Sequence, residues 1–215
     1  MPPHKARLPS GLFYCPKLTR RMIEMSQEMK LVKPSIEYLD SYLGCLKRGV
    51  DPIKFVEYSD PLTNEIEEIS NDVTKFFKQI LNITGGGGEP LKMDDGTFVE
   101  RLPNITWWLW DGEFCGRIQF RWQHNTVELP PYCLGHIGYG VVPWKRKKGY
   151  AKKALHLMLN EIKYCGLPYV ELTTDIENEV SQKVILKCGG QLVGEFDKLP
   201  SNGGGKGKRF RIYLA

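Results

Sequence analysis

One stretch decides most of what this chain can fold into: Arg146-Lys147-Lys148-Gly149-Tyr150-Ala151, set between two segments of opposite periodicity. Upstream, His136 to Val142 reads as a strand, short, apolar or aromatic at most positions and stopped by Pro143. Downstream, Ala151, Ala154, Leu155, Met158, Leu159 and Ile162 recur at helical spacing until Gly166 and Pro168 close the segment. A basic, glycine-containing turn therefore leads from a strand into a helix N-terminus. Such a turn gathers free backbone N–H groups and the positive helix end at one spot, which suits an anion such as a pyrophosphate. Gly149 lets the backbone come close to that anion, and Arg146, Lys147 and Lys148 add charge.

The remaining elements are read around this unit. Lys30 to Lys33 forms a first strand, and Pro34-Ser-Ile-Glu opens a helix through Ile36, Leu39, Tyr42, Leu43 and Leu46, closed by Gly49. A single long helix is expected from about Leu62 to Ile80, with Ile66, Ile69, Val73, Phe76, Phe77 and Ile80 on one face. Strands follow at 106–110 and 114–122, joined at Asp111-Gly112, a two-residue hairpin signal. After the central unit come a strand at Tyr169–Thr174, a helix beginning near Asn178, a strand at Gln191–Phe196 and a last strand at Arg209–Leu214. The order β-α-α-β-β-β-α-β-α-β-β implies one mixed sheet with helices on both faces, an α/β (α+β) fold. Residues 1–28 form an extension of unknown role, in which Leu12, Phe13 and Tyr14 are candidates for surface packing and Arg20 to Met29 for a short helix; residues 29–215 form the domain.

Two glycine runs invite a phosphate-loop reading, at 85–88 and 203–205. No Gly-Lys-Ser/Thr follows either, so both read as loops, the second as a long hairpin connection reaching to Lys208. Six cysteines lie far apart with no Cys-x-x-Cys pair, which points to buried thiols rather than zinc or disulfides, and no metal is expected. The N-terminus lacks a hydrophobic signal region and no apolar run approaches the roughly 18 residues of a membrane span, so a cytoplasmic address is expected. A net charge of +5 fits an anionic ligand and is too dispersed to argue for nucleic acid.

The basic turn, Arg-x-x-Gly-x-Ala with a Val-x-Pro just upstream, resembles the acyl-CoA-binding signature of the GNAT superfamily of N-acetyltransferases. Asn178-x-x-Ser181-x-x-Val-Ile-x-Lys187-x-Gly189-Gly190 resembles the second signature of that family, Asn-x-x-Ala-x-x-Leu-Tyr-x-Lys-x-Gly-Phe, at the expected separation. The likeness follows most of residues 29–215 by element order and is strong over 134–190. It implies a GNAT-like central sheet, mostly antiparallel, and transfer of an acetyl group from acetyl-CoA to an amine acceptor, either a small molecule or a peptide. It also makes a homodimer plausible by analogy, with no role for a membrane.

By the same resemblance, the pyrophosphate of coenzyme A falls to residues 146–151, and the pantetheine arm adds like a strand to the backbone of Tyr139 to Val142, with Val141 and Val142 among its contacts. A helix N-terminus favours an anion by only about 0.3–2 kcal/mol, whereas micromolar affinity requires about 8 kcal/mol, so the arm must supply most of the binding. Asn178 and Ser181 begin the next helix, where both serve as caps; the resemblance also brings them to the cofactor.

For the chemistry, an amine must lose its proton before attacking a thioester. That costs about 4.6 kcal/mol for a lysine at pH 7 and about 1 kcal/mol for an α-amine. The family base commonly sits on the strand leading into the turn, which offers His136, with Tyr139 second and Glu171 on the next strand third. Ile185 stands where the family has a tyrosine that protonates the leaving thiolate; Tyr164 or Tyr139 is a possible substitute. That departure motivates the competing reading of a catalytically silent acyl-CoA-binding or regulatory module. A third reading makes Trp107, Trp108, Trp110, Arg117 and Arg121 an aromatic, basic nucleic-acid face. Asp94, Asp95, Glu100, Asp111 and Glu113 read either as an acidic rim for a cationic amine or as solvated loop charges.

Overall fold

The sheet expected at the centre is split in two. In the computed structural model, which describes residues 28–52, 58, 60–86, 90–93 and 95–214, the elements run in the following order. They are β1 (Lys30–Val32), α1 (Ile36–Lys47), α2 (Thr63–Asn71), α3 (Val73–Ile80), β2 (Leu91–Lys92), β3 (Phe98–Val99), β4 (Asn104–Trp110), β5 (Phe114–Arg121) and β6 (Ile137–Val141). There follow α4 (Tyr150–Ile162), β7 (Tyr169–Asp175), α5 (Glu179–Lys187), β8 (Gln191–Asp197) and β9 (Lys206–Tyr213). One antiparallel sheet has the order β1-β4-β5-β6 and the other β7-β9-β8, with β2 and β3 as a small separate hairpin. The packing expected of Leu12, Phe13 and Tyr14, and all but the last two residues of the helix expected at Arg20–Met29, lie outside the described residues. Met29 itself lies outside any helix and is buried in the core.

Each face of the first sheet carries its own core. On one side α4 and α5 cover Ile118, Phe120, Ile137 and Val141, joined by Val170, Leu172, Phe210 and Ile212 of the second sheet. On the other side α1 and α3 cover Trp108, Phe114 and Val142. Trp108 is only 1% exposed, stacked on Tyr42 with ring centroids 4.8 Å apart and edge-on to Phe114 at 5.5 Å. An indole so enclosed has no free face on which a base could stack, which removes the centre of the proposed aromatic nucleic-acid surface.

Three boundaries differ from the sequence reading. The expected helix over 62–80 is two helices broken at Asp72, whose φ of −144° leaves the helical region. The Asp72 carboxylate accepts the Lys75 N–H at 2.8 Å, so a strong N-cap residue restarts the helix while the apolar period runs on across the break. The β4–β5 connection has three residues, Asp111 to Glu113, because Trp110 pairs with Phe114 after a register shift. Finally β9 begins at Lys206, so residues expected in a loop pair instead with Asp197 to Glu195 of β8.

Candidate functional site

The basic turn is built as a ring of inward amides. A single turn of 3-10 helix, Pro143–Lys145, follows β6, and α4 starts at Tyr150 with Gly149 as its N-cap. Lys147 and Gly149 both take positive φ, 62° and 79°. Left-handed residues alternating with ordinary ones curl successive N–H groups toward one point, a concavity that binds anions. Lys153 is the first residue of α4 whose amide closes a helical bond, onto the Gly149 carbonyl at 3.1 Å, so the amides before it face outward from the helix end. Lys147 and Lys148 are exposed around this ring, and Ala151 lies in its first turn. Arg146 is only partly available, because its Nε donates to the Val141 carbonyl at 3.1 Å.

Behind the ring is a buried ion cluster that the sequence reading missed. Lys145 Nζ donates to both carboxylate oxygens of Asp111, at 2.8 and 2.9 Å, and pairs with Glu113 at 2.7 Å. The Tyr150 hydroxyl donates to Asp111 Oδ2 at 2.6 Å. Asp111 is therefore neither part of an acidic rim nor a solvated loop charge: its side chain is 4% exposed. Burial alone would raise its pKa, but the hydrogen bonds from Lys145 and Tyr150 prevail and hold it below the usual carboxylate range. Tyr150 is pushed up to about 12 by burial and by the Asp111 carboxylate. The phenol of Tyr150 is thus spent inside the protein, leaving only its backbone to face a ligand. Nothing in the spacing of residues 111 and 145 announces this contact.

The split between the sheets lies along β6, the strand that leads into the ring. β6 and β7 meet at one seam, where the His136 N–H donates to the Glu171 carbonyl at 2.7 Å, and they share no ladder beyond it. Val142 spends its N–H on the Cys115 carbonyl of β5 at 2.9 Å. Alternation along the strand then turns the backbone edges of Tyr139 and Val141 toward the gap. A cleft of about 290 Å³ runs through the split, lined among others by Gly138, Tyr139, Thr174, Asn178, Ser181 and Phe196. The Asn178 side chain caps α5 by accepting the Ser181 N–H at 3.1 Å. The Tyr139 hydroxyl lies 2.9 Å from Ser181 Oγ, and burial pushes its pKa up to about 12 against the opposing pull of that serine. Ile185 is 1% exposed in the core, with its side chain above Gly190 rather than in the cleft. Tyr164 lies at the far end of α4 from the ring and is 85% exposed.

His136 lies at the seam and is 1% exposed. Its Nδ1 accepts the Glu171 N–H at 3.0 Å, which places the proton of the neutral ring on Nε2 and occupies the one basic lone pair. Burial lowers its pKa below the usual 6.5, outweighing the nearby Glu171 carboxylate. The unfolded chain then takes up a proton near pH 6.5 that the folded chain refuses until lower pH. Stability contributed by this group is complete above that range and declines as the pH falls through it. In urea titrations between pH 7.5 and 5, wild type is expected to lose stability more steeply than His136→Gln; equal slopes would refute the assignment. Glu171 is committed as well, to Arg209 at 2.9 Å and Arg211 at 2.8 Å.

Residues 91–191 match the family model of the acetyltransferase (GNAT) domain. No curated protein matches the chain in sequence. In structure the chain is similar to the microcin C7 self-immunity acetyltransferase MccE, solved with acetyl-CoA and AMP, at 13% identity and a TM-score of 0.55 over 87% of this chain and 93% of that one. It is similar to a GNAT-family acetyltransferase from Bacillus anthracis at 16% identity and a TM-score of 0.55, covering 88% and 96%. A putative ribosomal-protein-serine acetyltransferase from Vibrio cholerae gives 16% and 0.53 over 88% and 95%. Among the described residues, no helix is long and apolar enough to cross a membrane.

Proposed function

Because the chain carries a GNAT acetyltransferase domain and is an acyltransferase, we propose that it moves the acetyl group of acetyl-CoA directly onto an amine. The observation that carries this reading is the ring of amides at Lys147–Ala151 following directly on β6, the strand that borders the split from β7 and its cleft. The ring, with Lys147 and Lys148, takes the pyrophosphate. The edges of Tyr139 and Val141 take the pantetheine arm, the Val141 carbonyl being shared with Arg146, and Asn178 and Ser181 flank its end. The residues present fit such a ligand: donors stand where its anion lies, and an open strand edge stands where its amides lie.

In the transfer, the amine nitrogen attacks the thioester carbonyl carbon, forming a C–N bond as the C–S bond breaks. The nitrogen sheds a proton to water and the coenzyme sulfur regains one. The Tyr139–Ser181 pair offers hydroxyl protons to the leaving sulfur; a phenol with a pKa of about 12 stays protonated throughout the physiological range. It stabilises a thiolate as a hydrogen-bond donor rather than by full proton transfer. His136, with its lone pair occupied, serves in this reading to hold the seam. Among the described residues the one carboxylate lining the cleft, Asp175, is paired with Lys198. With no uncommitted base among those lining residues, amines of low pKa such as α-amines are the favoured acceptors, since they need only about 1 kcal/mol to become neutral.

The test is calorimetry with acetyl-CoA, followed by release of free CoA thiol with a panel of amines. Micromolar binding and acceptor-dependent thiol release are expected. Binding without turnover for any amine would favour a silent acyl-CoA-binding module. Tyr139→Phe is expected to lower kcat about 10- to 100-fold, the worth of one hydrogen bond to a charged group, while acetyl-CoA affinity changes less than about twofold. An unaltered kcat would remove Tyr139 from the mechanism.

A further inference from the structure

The face of the split opposite α4 and α5 carries an unusual set of side chains. Arg121 of β5 pairs with His136 across the strands, its N–H donating to the His136 carbonyl at 2.8 Å, so both side chains lie on that face. Glu171 and Arg211 are direct partners on β7 and β9, as are Thr173 and Arg209 one step nearer the ring. Among the described residues Arg121, Arg209 and Arg211 thus share this face with Glu171, and Arg117, four residues before Arg121 on β5, lies on it as well, with Asp51 near enough to favour its charge. Arg209 and Arg211 divide the Glu171 carboxylate between them. Arg209 also lies 5.1 Å over the Phe196 ring, which lines the cleft.

Arg121 is different. Among the described residues no carboxylate or carbonyl meets its side chain, and its Nε is buried without a partner. One terminal nitrogen lies over Gly138, which lines the cleft, and is only 2.7 Å from where a Cβ would stand, so that glycine is what admits the guanidinium beside the cleft. One further buried donor on this face is orphaned, Arg211 Nε, whereas His136 has the backbone of Val127 as a hydrogen-bond partner. A buried N–H donor without a partner is costly and ordinarily signals a missing acceptor.

We propose that this face recognises an anionic group on the acceptor, so that the preferred substrate is an amine carrying a carboxylate or phosphate close to the nitrogen. The inference rests on the transfer reading above and names its substrate class. Arg121 supplies the principal contact, with Arg209 and Arg211 setting a positive field. A polyamine or a lysine-rich peptide meets like charge here and is rejected.

Tripeptide amides with free N-termini and the sequences Asp-Ala-Ala, phosphoSer-Ala-Ala, Ala-Ala-Ala and Lys-Ala-Ala are assayed on wild type, Arg121→Gln and Arg121→Lys. An anionic first residue is expected to raise kcat/KM about 10- to 100-fold over Ala-Ala-Ala, with the Asp and phosphoSer arms separating carboxylate from phosphate. Arg121→Gln removes that advantage and Arg121→Lys restores part of it. Equal use of all four peptides, a preference for Lys-Ala-Ala, or a uniform loss in Arg121→Gln would overturn the inference while leaving the transfer reading intact. If acetyl-CoA binds but no peptide turns over, calorimetry of N-acetyl-Asp-Ala-Ala amide on the CoA-loaded protein decides. Saturable binding lost in Arg121→Gln supports the site, and no binding refutes it. Absence of acetyl-CoA binding would instead strike the transfer reading itself.

Discussion

Gly149→Asp is expected to weaken acetyl-CoA binding at least 100-fold, to judge from about 3 kcal/mol for each pair of like charges some 5 Å apart at a near-surface dielectric. Gly149 caps α4 at φ 79° and ψ 3°, at the centre of the amide ring. Nothing lies within 4 Å of a Cβ added there, so the new side chain clashes with no protein atom and projects into the space assigned to the pyrophosphate. Aspartate tolerates left-handed backbone better than most residues, which keeps the strain within about 1–2 kcal/mol. Gly149→Ala carries the strain without the charge and is expected to lose less than about tenfold. Calorimetry on both variants, with a thermal melt to confirm folding, separates the two effects. Equal losses in the two would place the effect in the backbone; unaltered binding in Gly149→Asp would remove the pyrophosphate from this turn.

Asp111→Ala is expected to destabilise the protein by about 2–4 kcal/mol, because it leaves the Lys145 ammonium buried without its main counter-charge. The lower part of the usual range for such a deletion applies here, since Glu113 remains 2.7 Å from Lys145 but is 46% exposed and a weaker partner. The same variant frees the Tyr150 hydroxyl at the start of α4, so the amide ring loses its tie to the β4–β5 loop. Acetyl-CoA affinity should fall together with stability, although Asp111 touches no part of the proposed ligand. Urea unfolding of Asp111→Ala and of the paired Lys145→Met/Asp111→Leu variant tests this. The apolar pair should recover most of the lost stability. A single variant as stable as wild type would show that solvent already screens the cluster. The pH dependence has a definite sign as well: with the carboxyl held below its usual range, this contribution is present near neutrality and is lost as pH falls through the folded-state value.

The strand, the basic turn and the helix over 136–162 were legible because each is a local matter: periodicity sets the element, Pro143 stops the strand and Gly149 supplies the cap. The resemblance to the GNAT family rested on two local motifs at a fixed separation, Arg146–Ala151 and Asn178–Gly190, and the residues that match the family model, 91–191, include both. Helix order was legible for the same reason, although the break at Asp72 was hidden beneath an apolar pattern that continues on both sides of it.

The roles of individual polar residues could not be read that way, because a polar side chain acquires its meaning from whatever the fold brings within about 3 Å. Asp111 and Lys145 are distant in sequence, and only the packing of the β4–β5 loop against the start of α4 makes them a buried pair. His136 looked like a free imidazole on a strand until the seam with β7 gave its lone pair to the Glu171 amide. Glu171 looked like an available carboxylate until β9 set Arg209 and Arg211 on either side of it. The sequence by itself therefore determined the secondary elements and the anion-binding turn, which depend on neighbours along the chain. Tertiary structure alone decided which charges are spent in the interior and which, like Arg121 against Gly138, meet no carboxylate among the described residues, because that depends on distances between strands that no local pattern encodes.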